Sequence, residues 1–254
     1  MRTGTSEMTY LLDGAESATT DTGSAYLEPV LPQVLGTAHP DETDPAWIER
    51  LIKQPYDEGR RDMYICVDDA YKVKMGDDWF VRVAVASFEK GEDIRPYLYG
   101  DQDAFKRKLE DGSLRQIDMI IDSWEPTEDF FVGTMTRQAI EDLADGERVD
   151  VYACNFFRDY LESGHPNYTF ASGHRRNRHQ RYIKLADVAS KWMDKDEPEI
   201  VDYVNAVRDH WEGNPQLKGE ESFSFGKREV LVSPEVQKRY DGPFHKLRTL
   251  SKAA

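Results

Sequence analysis

Two alternating stretches joined by a tight turn constrain this chain more than any other feature. Tyr71, Val73 and Met75 alternate with Lys72 and Lys74, and after Gly76-Asp77-Asp78 the run from Trp79 to Phe88 carries the same period of two. Successive side chains of a strand point to opposite faces, and Gly-Asp pairs suit a short hairpin turn. The pattern predicts an antiparallel meander with one wet face. Val81, Val83 and Val85 face inward with Trp79, and the alternate face carries Phe80, Arg82, Ala84 and Ala86. Met63 to Val67 reads as a separate strand before the hairpin.

Helical signals surround this sheet. Asp44-Pro45 is a helix start, Asp as N-cap and Pro in the first turn, with Trp47, Ile48, Leu51 and Ile52 as an apolar stripe that Pro55 ends. Asp103 to Glu110 and Thr136 to Ala144 read as helices stopped by Gly112 and Gly146. Leu114 to Trp124 fits either a strand or a helix, with strand preferred, and Val149 to Cys154 reads as a strand. Farther on, Leu185, Val188, Ala189 and Trp192 share one helical face. A longer stripe of Ile200, Tyr203, Val204, Val207 and Trp211 is closed by Gly213-Asn214-Pro215. Asp196 and Glu199 have the spacing of a capping pair. Phe223 to Phe225 and Glu229 to Val232 complete the strands. The expected fold class is α+β, an antiparallel sheet meander in the first half packed with helices from the second half, as a single domain over residues 45–254. Residues 1–44 are rich in Thr, Ser, Gly, Asp and Pro, and predict an extended or disordered N-terminal arm. In that arm Tyr10 to Leu12 and Tyr26 to Leu31 are short apolar patches.

Charge is distributed unevenly. Asp and Glu outnumber Lys and Arg 48 to 33, a formal net charge of -15, which argues against a general affinity for nucleic acid or anionic membrane. Yet no carboxylate occurs between Glu162 and Asp187. That interval holds Gly173-His174-Arg175-Arg176-Asn177-Arg178-His179-Gln180-Arg181-Tyr182-Ile183-Lys184. Arginine forks suit phosphate oxygens, and a tyrosine ring offers a stacking face. Arg175, Arg176, Arg178, His179, Arg181, Tyr182 and Lys184 are therefore the candidate ligand-binding residues.

Other chemistries find less support. His165, His174 and His179 with Cys154 match no common zinc spacing, and neighbouring arginines repel a cation, so no metal is expected at them. Asp68 and Asp69 between two predicted strands, with Asp122, Glu125 and Asp150, are candidates for a metal-dependent hydrolase. No acid-x-Lys triplet accompanies them. Phosphate-binding glycine loops, a dinucleotide fingerprint, a nucleophile elbow and a His-Glu-x-x-His helix are all missing from the sequence. No cofactor is expected.

Cys66 and Cys154 form no C-x-x-C pair and indicate neither a zinc ribbon nor a disulfide scaffold. No secretory signal or run of some 20 apolar residues is found, so the expected setting is cytoplasmic, or a particle assembled inside a cell. The leading functional expectation is a non-catalytic binding protein whose Arg-rich loop contacts phosphates of nucleic acid or a nucleotide. One alternative is an oligomeric structural or assembly subunit, of a virion for instance, using residues 1–44 and the Arg loop as subunit contacts. The other is the hydrolase.

Overall fold

The hairpin forms as its alternation requires, and it is longer than the pattern shows. In a computed structural model of the chain, β1 (Met63–Met75) pairs antiparallel with β2 (Asp78–Glu89) across a turn at Gly76-Asp77, where Gly76 takes φ +66°. Met63 to Val67 and Tyr71 to Met75 are one strand, not two. The register runs Ala70 opposite Arg82 and then Lys72 opposite Val81, which leaves Tyr71 as the extra residue of a β-bulge. A bulge reverses parity. Tyr64 and Cys66 before it, and Val73 and Met75 after it, belong to hydrophobic clusters on the same side of the sheet. That switch from even to odd positions is what hid the strand's continuity.

The described residues are 45–53, 62–122, 126–153, 168–172 and 180–241. All fall within the compact unit Pro32–Ala254, whereas the unit Met1–Leu31 and the rest of the expected arm lie outside them. β3 (Leu114–Ile121) adds antiparallel to β2 and completes the meander. Three further additions make the sheet mixed. β4 (Val149–Ala153) lies parallel to β1, β5 (Tyr168–Ser172) parallel to β4, and β7 (Arg228–Val232) parallel to β3 with β6 (Ser222–Phe225) antiparallel outside it. The strand order is β5-β4-β1-β2-β3-β7-β6.

The expected wet face is not there. Every residue of β2 except Trp79 and Glu89 is buried. The alternation sorted the side chains correctly, but both faces are covered. A parallel neighbour needs a crossover, and helix α4 (Pro126–Ala144), which links β3 to β4, supplies the second layer. Val81, Val83 and Val85 pack with Ile65, Val67 and Met119 and with Val132 and Ile140 of α4.

The opposite face carries the other helices. Ala84, Ala86 and Phe88 meet α5 (Gln180–Lys191) through Tyr182, Leu185, Ala186 and Ala189, with Ile48 of α1 (Pro45–Lys53) and Leu98 of the single turn α2 (Arg95–Leu98). Phe105 of α3 (Gln102–Glu110) joins them, and Asp101 caps that helix by accepting from the Ala104 N–H at 2.9 Å. Phe80 and Ile120 instead meet α6 (Ile200–Gly213), whose buried residues are Ile200, Tyr203, Val204, Val207 and Trp211, the stripe read from the sequence. α7 (Pro234–Asp241) closes that end through Val236. The expected cap of α6 by Asp196 and Glu199 does not form. Glu199 makes no side-chain capping bond, and Glu197 instead accepts from the Asp194 N–H at 3.1 Å and from the Arg228 fork at 2.8 and 2.7 Å.

Candidate functional site

β4 and β5 end together beside the parallel β1. Val67 lies opposite Ala153, and Ala153 opposite Ser172, so the chain leaves β4 and β5 at one edge while β1 continues into Asp68 and Asp69. In open sheets with parallel strands, the carboxyl edge between helices of opposite faces is where ligands collect. The Arg-rich segment begins there. It leaves β5 at Ser172 and enters α5 at Gln180, a helix with no acidic residue in its first turn. The positive end of a helix dipole is often complemented by an acid in the first turn, and the first turn of α5 contains none.

Of the sequence-derived candidates, Arg175, Arg176, Arg178 and His179 lie outside the described residues, as do His165, His174, Cys154 and Glu125. Arg181, Tyr182 and Lys184 are described, and they face protein. The Arg181 side chain is fully buried, donates from Nη2 to the Tyr182 hydroxyl at 3.2 Å, and lies 4.9 Å from that ring's centroid. Tyr182 stacks on Tyr152 with centroids 3.9 Å apart and meets Tyr64 edge-on at 4.8 Å. Burial raises its phenol pKa, against the pull of the Arg181 charge. Lys184 bonds Asp187 at 2.9 Å. These three residues pin the first turns of α5 to β1 and β4 and to its own surface. Below them Cys66 is fully buried, and desolvation pushes its thiol pKa well up although Lys108 and Arg181 oppose that rise.

Asp68 and Asp69 sit within β1, not between strands. Asp68 lies opposite Ala84, on the α5 side, and Asp69 opposite Val83, on the α4 side. The Asp69 N–H donates to Asp68 Oδ1 at 2.9 Å, and Lys72 pairs with Asp69 at 2.8 Å. Of the other expected carboxylates, the described Asp150 and Asp122 do not join them. Asp150 is level with Tyr64, four positions back along the strand or about 13 Å. Asp122 follows the end of β3 near the hairpin tip, paired with Arg239. Among the described residues no group of three or more His, Cys, Asp or Glu is placed to hold a metal ion.

A second polar constellation, unread in the sequence, lies under α6. Arg82 and Asp118 face one another across β2 and β3, joined through Nε at 2.5 Å and Nη2 at 2.7 Å. Tyr203 donates to the same carboxylate at 2.8 Å, and Arg82 Nη1 donates to Met193 Sδ at 2.8 Å. Burial works against the Arg82 charge, Asp118 outweighs it, and the guanidinium pKa is raised. The available signal was one basic and one acidic residue, each set between apolar neighbours in its strand, Val81 and Val83 around Arg82 and Ile117 and Met119 around Asp118.

Neither a scan of protein-family models nor a search of curated proteins finds a match to this chain. Among the described residues no helix is long and apolar enough to cross a membrane.

Proposed function

We propose that the protein binds a phosphate-bearing ligand, nucleic acid foremost, through Arg175, Arg176, Arg178 and His179 at the carboxyl edge of β1, β4 and β5. The observation that carries this reading is that the Arg-rich segment joins the end of β5 to the N-terminus of α5, where neither the segment nor the helix's first turn contains an acid. Backbone N–H groups of a helix start and arginine forks attract the same anion. Arg181 and Tyr182 then act as positioning residues, and Lys184 is held by Asp187.

The test is binding of labelled single- and double-stranded DNA and RNA by anisotropy at two salt concentrations. Affinity should fall steeply with salt, because each neutralised phosphate releases condensed counterions. Replacing the four residues with Gln should lower both affinity and salt slope without changing the melt. No binding by the wild type at low salt overturns the reading. A Gln variant that instead dissociates from oligomer to monomer transfers the loop to the assembly role.

A second reading is hydrolysis assisted by Asp68 or Asp69, which reach that same edge from opposite faces of β1. Either carboxylate would hold a divalent cation that supplies Lewis-acid activation of a water for attack at phosphorus, with the ester oxygen leaving. Incubating the bound nucleic acid with Mg²⁺ or Mn²⁺ separates the two. Cleavage lost in Asp68→Asn or Asp69→Asn with binding retained supports hydrolysis, and intact nucleic acid leaves binding alone.

A further inference from the structure

Far from that edge, the sheet opens between β3 and β7. Their parallel ladder joins Asp118–Ile120 to Val230–Val232. Just upstream, Gln116 and Ile117 on one strand and Arg228 and Glu229 on the other line a cavity of about 330 Å³, within the range of small-ligand sites. In place of a backbone ladder, the strands are tied here by a side chain, Arg228 Nη1 donating to Gln116 Oε1 at 2.7 Å. Gln116 is itself fixed, donating to the carbonyls of Ala189 at 2.6 Å and Trp192 at 2.8 Å. Arg228 is locked further by Glu197, leaving a rigid guanidinium at the wall.

The remaining lining has three chemistries. Leu109, Ile117 and Leu231 make an apolar wall. Lys227 is exposed and has no ion-pair partner among the described residues, so it gives the cavity a positive corner, while the Arg228 charge is met by Glu197 of the same lining. Asp194, met by Lys106 only at 3.9 Å, and Glu229, which accepts from Ser222 Oγ at 2.6 Å, give it a negative one. A simple anion would meet these carboxylates, and a simple cation would meet Lys227. A ligand with both charges and an apolar body satisfies the whole lining.

We propose that this cleft binds a small zwitterion of the apolar α-amino-acid class. Its carboxylate lies at Lys227, its ammonium at Asp194 and Glu229, and its side chain on Leu109, Ile117 and Leu231. The site lies between β3 and β7, across the meander from β4 and β5, and stands independently of the nucleic-acid reading.

The test is calorimetry of the full chain with L-leucine, L-isoleucine, L-valine and L-methionine. Two analogues carrying one charge each, 4-methylpentanoate and 3-methylbutylamine, serve as controls. At least one amino acid should saturate with Kd at or below about 1 mM, and both analogues of leucine should bind roughly 10-fold more weakly than leucine, as expected on losing a charged hydrogen bond. Lys227→Gln and Glu229→Gln, both at exposed positions, should weaken binding several-fold with unchanged melts. No saturation by any of the four amino acids overturns the proposal. So does equal binding of the analogues, or affinity indifferent to both substitutions.

Discussion

A guanidinium with no surface in solvent depends on what it touches, and for Arg82 that is chiefly the Asp118 carboxylate. The pair is also the acceptor for Tyr203. Burial and then the Asp118 charge hold that phenol far above its ordinary value, so it stays a donor at any physiological pH. Asp118→Asn removes the countercharge and strands a buried cation, which should cost about 3–5 kcal/mol. Exchanging all three polar side chains, as Arg82→Met, Asp118→Leu and Tyr203→Phe together, leaves nothing charged to desolvate. Most of the stability should return, because a buried ion pair offers little over well-packed apolar groups of similar volume. Urea unfolding checks this through the midpoint at constant slope. Equal losses in the single and triple variants would show that the shape of the site, not the unpaired charge, sets the cost.

At the scale of elements, α5 shows how a charged surface can contribute to a fold. Asp187 receives Lys184 at 2.9 Å and also Lys191, both on its own helix. Burial raises the carboxyl pKa, but Lys191 and then Lys184 outweigh it and the net shift is downward. A lowered folded value means the stabilisation is present above the ordinary aspartate pKa of about 3.9 and is lost as pH falls through the folded one. Asp187→Asn should therefore be less stable than wild type at neutral pH, with the gap closing in acid. Melts across a pH series test it, and a gap independent of pH would assign the loss to packing. Elements with a strong period were legible in the sequence: the hairpin, the stripe of α6, the helix after Asp101. Those without one were not. β5 is a five-residue edge strand beside a basic segment, and α7 follows β7 with only Val236 buried among its described side chains. Asp68 and Asp69 fall between two predicted strands in the sequence because the bulge at Tyr71 breaks the alternation that would have carried β1 through them.

For the whole molecule, legibility failed where distant segments meet. Single-strand alternation revealed which side chains share a face but not that α4 would cover the second one, since that depends on β4 pairing parallel to β1. The Arg-rich segment was visible as charge. That Arg181 and Tyr182 turn inward was not, because their partners Tyr64 and Tyr152 come from β1 and β4. The same clusters define what the fold needs. All three draw their described members from Trp47 onward, and the last partly buried one is Tyr240. Residues 1–44 offer no periodic apolar face to extend them. A chain beginning at Thr43 keeps Asp44 before α1 and should fold with a cooperative melt within about 2–4 °C of the full chain, the shift that ~1 kcal/mol produces at this size. Thermal unfolding by circular dichroism measures it. A fall of many degrees would place Tyr10 to Leu12 or Tyr26 to Leu31 in the core. A drop in assembled mass with the melt unchanged would make the arm a contact between copies.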